Sequence, residues 1–337
     1  MNENSSTAAD FVAAGSTLAR RHPDWIKARI PSGQTYQDVK RLLHGLSINT
    51  VCEEANCPNL GECWDQRTAT IMILGDVCTR ACGFCAVNTG RPPGYDEDEP
   101  WRVTEAIRGL GLDHVVVTSV ARDDLADGGA EIFAGTIRRL HQACPGMGVE
   151  VLIPDFNGQV GPLRTVMAAG PDILDHNLET VGRLQRPVRK RARYDRSLGV
   201  LSRAKAYAIE AGKAIHTKSS LMVGLGETRL ELHRTFVDLR SVDCDVLTIG
   251  QYLRPSERQL PVERYYDPRE FAEMKAEALA LGFKHVVSGP LVRSSYHARD
   301  QVPGAELGRL RRRAAIDAGG SVVHAAPGFG RLDEGSS

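Results

Sequence analysis

The sequence has no excess of charge of either sign, no long apolar run and no early basic residue. Lysine plus arginine and aspartate plus glutamate number 42 each among 337 residues. No bulk charge would therefore draw the chain to nucleic acid or to an anionic membrane. The longest apolar runs, such as 115–117 and 220–225, are far too short to span a bilayer. We predict a folded protein with neither nucleic acid nor a membrane as a partner.

The first residues also lack the features of a targeting signal. No basic residue precedes Arg20, and the apolar stretch at 11–14 is too short for a signal peptide. Glu3 and Asp10 argue against a mitochondrial presequence, which would be poor in acidic residues. We expect a cytoplasmic protein, and thiols stay reduced in that compartment. Clustered cysteines then indicate metal binding or catalysis rather than disulfides.

Six of the eight cysteines lie in one short segment, in two groups of three. The spacings are C-x4-C-x5-C and C-x3-C-x2-C, and the members are Cys52, Cys57 and Cys63, followed by Cys78, Cys82 and Cys85. Structural zinc sites pair C-x2-C knuckles and close with a fourth Cys or His, and no second knuckle follows here. Three thiolates on a cubane iron–sulfur cluster leave one iron with an open position, and an open iron can bind a substrate.

From residue 70 onward, apolar strand candidates alternate with helical segments, several of which end at glycine. The strands are predicted at 70–77, 114–120, 148–154, 172–180, 214–224 and 245–253, with a seventh candidate at 285–289. Their spacing is that of βαβ units, and near-continuous apolar runs are typical of parallel strands covered by helices. We predict an α/β fold, a partial (β/α)6 barrel of the TIM type. A doubly wound sheet is the alternative.

The chain divides into four predicted segments. They are a flexible N-terminus at 1–20, an N-terminal extension with the first cysteine group at 21–69, the barrel at 70–300, and a C-terminal helix with a disordered tail at 301–337. The second cysteine group follows the first barrel strand. In a βα barrel, that loop lies at the face where catalytic groups gather.

C-x3-C-x2-C with an aromatic residue, Phe84, before its last cysteine resembles the radical S-adenosylmethionine superfamily. The resemblance implies that Cys78, Cys82 and Cys85 hold a [4Fe–4S] cluster whose open iron binds S-adenosylmethionine. Electron transfer then splits this cofactor to methionine and a 5′-deoxyadenosyl radical. Such a radical can abstract hydrogen from an unactivated CH2, chemistry that the cofactor supplies.

Three further stretches resemble superfamily elements that bind S-adenosylmethionine. "DGGAE" resembles the Gly-Gly-Glu-type turn, in which paired glycines let backbone carbonyls approach the ligand. "SLMVGLGE" resembles G-x-I-x-G-x-x-E, with Ser220 in place of the first glycine, and "DHNLET" is expected to line the barrel mouth with His176. The residues expected at the cofactor are Gly128, Gly129, Asn177, Glu179, Gly224 and Glu227. Strand-end polar residues also commonly serve only to satisfy backbone groups.

The first cysteine group matches no zinc spacing, and its position just before the radical group resembles the lipoyl synthase family. In that family this triplet holds a second [4Fe–4S] cluster, and its fourth ligand is the second serine of an R-S-S-Y element. The sequence contains "VRSSYHARD". The resemblance therefore implies that Ser295 completes the auxiliary cluster of Cys52, Cys57 and Cys63. An alkoxide is a less natural iron ligand than a thiolate, so this iron should detach readily from a cluster that is consumed as the sulfur source.

The resemblance extends from about Trp25 to Tyr296 and implies insertion of two sulfur atoms, at C6 and C8 of an octanoyl chain held on a lysine. Two molecules of S-adenosylmethionine are used per lipoyl group. The implied partners are octanoylated lipoyl carrier domains, namely 2-oxoacid dehydrogenase E2 subunits and the glycine cleavage H protein. An electron donor such as ferredoxin or flavodoxin is also implied.

A second position, besides Ser220, departs from the family pattern, because Gln259 stands where the family commonly has histidine before "LPV". We expect only a peripheral contact there. A biotin synthase-like enzyme or a methylthiotransferase would also pair two clusters, but the first cysteine group and R-S-S-Y argue against both. A non-catalytic iron–sulfur electron-transfer protein is the alternative from another class. It should have closed four-thiolate sites and little need for a barrel.

Overall fold

The computed structural model describes residues 22–27, 33–65, 69–112, 114–296 and 298. The predicted flexible N-terminus at 1–20 and the predicted C-terminal helix and tail at 301–337 lie outside these ranges. The strands, in chain order, are β1 Asn49–Thr50, β2 Thr70–Ile73, β3 Val77–Cys78, β4 Asn88–Thr89, β5 His114–Ser119, β6 Gly148–Leu152, β7 Ile173–Asp175, β8 His216–Val223, β9 Val246–Gln251 and β10 His285–Gly289.

Helices alternate with these strands along the barrel part of the chain. They are α1 Gln34–Gly45, α2 Val51–Glu54, α3 Leu60–Asp65, α4 Glu99–Leu110, α5 Ala130–Ala143, α6 Val160–Ala169, α7 Gln185–Val188, α8 Tyr194–Glu210, α9 Arg229–Ser241 and α10 Pro268–Ala280. Capping boxes start α9 and α10, at Thr228 and Asp267, and satisfy backbone N–H groups of the first turn. No helix of the described ranges is long and apolar enough to cross a membrane.

Eight strands form one sheet in the order β1-β2-β5-β6-β7-β8-β9-β10, while β3 and β4 pair separately. From β2 to β10 every neighbour is parallel and is the next strand of this sheet along the chain. A doubly wound sheet would reverse its order at a switch point, and this order never reverses. The predicted partial barrel is therefore confirmed, together with all seven of its strands. β1 adds an antiparallel strand beside β2.

The core joins the N-terminal extension to the barrel. Leu43 of α1 and Trp64 of α3 are fully buried, in one apolar cluster with Ile71, Phe133 and Val151 of the barrel. Burying a side chain of this kind contributes about 1.5–3 kcal/mol relative to leaving it exposed. A second cluster lies under the later helices and strands. The extension is thus packed on the barrel itself, and this fixes the position of the first cysteine group.

Two predicted strands are shorter than expected, and in each case a residue with a left-handed backbone lies between the observed and the predicted end. β2 ends at Ile73, because Leu74 and Gly75 have φ of 68° and 87° and turn the chain. The Leu74 N–H donates to the buried Glu99 carboxylate over 2.7 Å. β7 likewise ends at Asp175, and Glu179, with φ 66°, forms only an isolated bridge to the neighbouring strand. Both turns deliver predicted site residues to the mouth of the barrel.

Candidate active site

The first cysteine group and the R-S-S-Y element face one cavity. Cys52 lies in α2, Cys57 follows it, and Cys63 lies in α3. All three line the same cavity as Ser295 and Thr70. The four residues expected to hold the auxiliary cluster are therefore brought together from opposite ends of the chain.

Side-chain hydrogen bonds hold the C-terminal segment against the extension. Asn59 donates from Nδ2 to the carbonyl of Leu291 over 2.7 Å, and Tyr296 donates from its hydroxyl to Glu62 over 3.3 Å. Asn59 is itself buried, so its bond stands in a site with little competition from water. These contacts flank Ser295 on both sides along the chain.

The second cysteine group lies in a loop that its own backbone and two neighbouring loops fix. The N–H groups of Arg80 and Ala121 lie 3.4 and 3.3 Å from the Cys78 sulfur. Gly83 donates to the carbonyl of Val188 and accepts from Leu260 N, each over 2.8 Å. These contacts fix the position of the Cys78 sulfur and of the loop that carries it.

Arg80, between the first two cysteines of this group, joins three loops. Its guanidinium donates to both oxygens of Asp123, at 2.8 and 2.6 Å, and pairs with Asp155 at 2.7 Å. Arg80 and Asp155 are buried. The bidentate pair with Asp123 fixes orientation as well as distance, so Arg80 holds the loop after β3 against those after β5 and β6. The motif comparison did not single out this residue.

Burial raises the pKa of thiols in both groups, and nearby thiols of the same group raise it further. The pKa is raised to about 11 for Cys52 and Cys82 and to about 12 for Cys63 and Cys85. Several thiolates side by side are therefore unfavourable without a positive partner. Iron supplies that charge, and binding it releases the protons.

Within the described ranges, no three His, Cys, Asp or Glu side chains converge on one point as the ligands of a single metal ion would. A cubane cluster needs a different arrangement, because each thiolate binds a different iron and the donors surround a volume. Three thiols and a hydroxyl around one cavity fit a fully ligated cluster. Three thiols in the second loop fit a cluster with one open iron. The donor chemistry thus suits two iron–sulfur clusters rather than mononuclear metal sites.

The glycine pair expected at the cofactor occupies the turn before α5. Gly128 and Gly129 have φ of 61° and 88°. A Cβ on Gly129 would lie 2.1 Å from Cδ1 of Leu74, so the packing against the turn after β2 excludes any side chain there. The pair brings bare backbone to the barrel mouth.

Asn177 and Glu179 lie beside the radical cysteines. Asn177 donates from Nδ2 to Glu179 over 3.0 Å, and its Oδ1 is buried without a hydrogen-bond partner among the described residues. The Glu179 carboxylate is close enough to raise the pKa of Cys82 and Cys85. An unpaired buried acceptor next to a carboxylate suits a ligand that donates hydrogen bonds, in keeping with the expected cofactor contacts.

Other predicted residues have structural partners instead. Glu227 accepts from the N–H groups of Gly224 and Leu225, at 2.6 and 2.9 Å, and so holds the turn after β8. His176 is buried, with Nδ1 2.9 Å from the Ile153 carbonyl and Nε2 2.9 Å from the Ser197 hydroxyl. The expectation that His176 lines the mouth is wrong, because the side chain is buried and both ring nitrogens lie within hydrogen-bonding distance of buried groups.

The two departures from the family pattern have different settings. Gln259 donates from Nε2 to the carbonyl of Cys85 over 3.1 Å and accepts from the Ser256 hydroxyl over 2.6 Å. Gln259 therefore contacts the backbone of a cysteine of the second group, whereas we predicted only a peripheral contact. Ser220 is buried within β8, opposite Thr248.

The sequence alone also did not single out a buried charged pair behind the R-S-S-Y element, Lys218 with Glu150. A signal exists for Glu150, which interrupts an apolar strand, because a charged residue is almost never fully buried unless it is paired. Lys218 stands among polar residues of β8 and carried no signal of this kind. Thr70 carried no such signal, since threonine is common in strands.

Comparison with known proteins agrees with this geometry. Residues 72–239 match the model of the radical SAM superfamily, and residues 2–57 match the N-terminal domain of lipoyl synthase of the radical SAM family. The parallel barrel and the three-cysteine loop at its mouth thus define a radical S-adenosylmethionine enzyme. The chain is 56% identical over 291 residues to the lipoyl synthase of Rubrobacter xylanophilus, covering 86% of this chain and 89% of that protein.

A second relative is the lipoyl synthase of Symbiobacterium thermophilum, which is 55% identical over 299 residues, 89% of this chain and 92% of that protein. The chain belongs to the lipoyl synthase family. The fold is similar to that of HydG, a maturase of the [FeFe]-hydrogenase, with a TM-score of 0.50 at 14% identity over 64% of this chain and 50% of that chain. The alternatives of another sulfur-inserting radical enzyme or a simple electron carrier give way to this assignment.

Proposed function

We propose that the protein inserts two sulfur atoms, at C6 and C8 of an octanoyl chain carried on a lysine of a lipoyl carrier domain. The observation that carries the proposal is the shared cavity of Cys52, Cys57, Cys63 and Ser295. A second iron–sulfur site of this kind has no use in S-adenosylmethionine cleavage alone. We assign it to a reaction that consumes sulfur.

Cys78, Cys82 and Cys85 would hold the radical cluster, and the first group with Ser295 would hold the auxiliary cluster. When bound, the radical cluster and S-adenosylmethionine would supply a 5′-deoxyadenosyl radical able to take hydrogen from the unactivated C6 methylene and C8 methyl groups, and the auxiliary cluster would supply sulfur. The protein contributes positioning and the exclusion of water. Asn177, Glu179 and the N–H and C=O groups around the two adjacent glycines are the groups we assign to the cofactor.

The two sites lie at opposite ends of one short strand. Thr70 begins β2 at the auxiliary cavity, and Ile73 ends it just before the radical loop. At about 3.3 Å per residue, these ends are roughly 10 Å apart. All four residues of β2 are buried. Each reacting carbon of the octanoyl chain would have to reach both sites, because the carbon that loses hydrogen is the one that receives sulfur.

We infer the partners from the substrate. They are octanoylated carrier domains of 2-oxoacid dehydrogenase E2 subunits and of the glycine cleavage H protein, and a ferredoxin or flavodoxin as the electron donor. A cytoplasmic location suits free thiols that must stay reduced until iron binds. We also propose that the chain divides between residues 69 and 70. The extension before this point would supply three ligands of the auxiliary site.

The experiment is anaerobic incubation of the iron-loaded protein with S-adenosylmethionine, a reductant and an octanoyl-lysine peptide, followed by mass spectrometry. We expect a product heavier by two sulfur atoms, and none when the reductant is left out. Cleavage of S-adenosylmethionine with no sulfur in the peptide would overturn the proposed reaction while leaving the superfamily assignment intact.

A further inference from the structure

A lysine with no exposure to solvent lies in the interior of the barrel. Lys218 of β8 and Glu150 of β6 are both fully buried, and Lys218 Nζ lies 2.7 Å from Glu150 Oε1. The same Nζ donates to the carbonyl of Ser294 over 2.7 Å. The buried ammonium therefore joins two strands of the sheet to the R-S-S-Y element.

Two more titratable groups complete this buried ion cluster, which we define as Lys218, Glu150, Asp175 and His114. The other oxygen of Glu150 is 3.3 Å from Nε2 of His114 on β5. Asp175, at the end of β7, accepts a hydrogen bond from the Ser294 hydroxyl. Four neighbouring strands thus each contribute one group. The carbonyl and the hydroxyl of Ser294 both bind to this cluster.

Stability alone does not explain the cluster. Replacing a buried ion pair with well-packed apolar residues is often neutral or stabilising, because removing two charges from water costs as much as their attraction returns. Apolar residues could fill this interior, but they could not donate to the Ser294 carbonyl. The chemistry specific to the buried ion cluster is therefore its hold on that residue.

Ser294 lies in a segment with no strand or helix of its own. Residues 291–296 form turns and irregular backbone. The segment approaches β9 so closely that a Cβ on Gly250 would lie 2.0 Å from the carbonyl oxygen of Val292. Without a backbone ladder, the direction of Ser295 depends on the bonds that its neighbours make.

We propose that the buried ion cluster positions Ser294, and through it holds Ser295 toward Cys52, Cys57 and Cys63. Lys218 is the central positioning residue, and it touches none of the reacting atoms. The inference rests on the proposed function, because that function needs Ser295 as the fourth ligand of the auxiliary site. It adds a supporting group from strands β5 to β8, elements that carry none of the three cysteines.

The test is Lys218→Met in the full-length protein, loaded with iron anaerobically. We expect an altered Mössbauer spectrum for the auxiliary cluster, while cleavage of S-adenosylmethionine at the radical site continues. Hydrogen exchange at the amides of 291–296 should become about tenfold faster, since a hydrogen bond from a charged group is lost. The matched control is Lys205→Met, which breaks an ion pair between α8 and Asp245, the residue before β9.

Lys218→Met leaves Glu150 buried and unpaired, so the single variant could simply lose stability. The double variant Glu150→Met with Lys218→Met removes both charges and should recover the melting temperature. It should still show the altered spectrum and the faster exchange, because Ser294 has not regained its donor. Recovery of the parent spectrum and exchange rates in the double variant would overturn the proposal, since charge balance alone would then account for the single variant.

Ser295→Ala separates this inference from the proposed function. An unchanged auxiliary spectrum in that variant would refute Ser295 as a ligand, and exchange at 291–296 in the Lys218 variants would then still decide whether the cluster holds the segment. An altered spectrum in Ser295→Ala together with parent-like spectra and exchange in both Lys218 variants would refute the positioning role alone.

Discussion

Thr70 donates a hydrogen bond from Oγ1 to Oγ of Ser295 over 2.6 Å, across 225 positions of the chain. Thr70 begins the first parallel strand of the barrel and is buried. The bond therefore links the beginning of the barrel to the segment that follows its last strand. It also places a second hydroxyl within the auxiliary cavity, beside the residue that we assign to iron.

Thr70→Val should disturb the auxiliary site without affecting the radical site. Valine keeps the shape of threonine but cannot donate to Ser295, and the lost bond should lower the free energy of unfolding by about 1 kcal/mol. Mössbauer spectra and product formation should change, whereas cleavage of S-adenosylmethionine should continue. Thr70→Ser keeps the hydroxyl and is the control. Equal product formation by Thr70→Val and Thr70→Ser would show that the hydrogen bond has no role in the reaction.

Single cysteine changes should separate the two clusters. Cys82→Ala should abolish cleavage of S-adenosylmethionine, because the radical cluster loses a ligand. Cys57→Ala should leave that cleavage measurable and abolish sulfur insertion. Each variant should bind about half of the iron of the parent protein, measured by iron analysis after anaerobic reconstitution. Loss of cleavage in Cys57→Ala as well would mean that the two sites do not act separately.

The turn before α5 should not tolerate a methyl group. Gly129→Ala places a Cβ 2.1 Å from the Leu74 side chain at a φ of 88°, so it combines a left-handed backbone with a clash. Gly111→Ala is the control, because Gly111 has a φ of 64° and nothing within 4 Å of its Cβ. The control should lose about 1–2 kcal/mol of stability, and Gly129→Ala about 1–3 kcal/mol more from overpacking. Equal losses in chemical denaturation would show that the clash relaxes freely.

His176 should make stability depend on pH. Burial, with the positive charge of Arg189 nearby, lowers the pKa of His176 to about 4 from an ordinary 6.5. Between these values the unfolded chain binds a proton that the folded protein does not. Stability therefore rises with pH through this window and falls as the pH drops from about 6.5 toward 4, by at most about 3 kcal/mol at this site.

The measurement is the melting temperature of the parent and of His176→Gln between pH 7 and pH 5. The variant loses the imidazole ring that bonds Ile153 and Ser197, so it should be less stable than the parent at pH 7. Glutamine cannot take up the proton, so the variant should lose less stability on acidification. Comparing the two proteins cancels the titration of every group that they share. Parallel pH profiles would contradict the assignment to His176.

The strands were predictable because parallel strands buried on both faces are continuous apolar runs, and such runs are visible in a sequence. The early end of β2 was not, because the left-handed backbone of Leu74 results from packing and from its bond to Glu99. Local propensity would place leucine elsewhere. Gln259 was misjudged for a related reason, since its contact is with a backbone carbonyl, which no motif encodes.

The candidate site divides in the same way. Cysteine spacing is local, so each group could be identified from the chain alone. The association of Ser295 with the first group came only from family resemblance, because no spacing rule joins residues so far apart in sequence. Lys218 stands among polar residues of its strand and became recognisable only through its contacts with Glu150 and Ser294. Thr70 likewise became recognisable only through its contact with Ser295.

The order of the sheet determines how the two edges of the open barrel are joined. Its first and last strands are not hydrogen-bonded neighbours in the described chain, and the gap is bridged by side chains, such as Thr70 to Ser295 and Asn59 to Leu291. A ladder of backbone hydrogen bonds opens cooperatively, whereas separate side-chain hydrogen bonds can break one at a time. The seam of this barrel therefore depends on individual side chains that single substitutions can remove, whereas backbone hydrogen bonds hold the strands on either side.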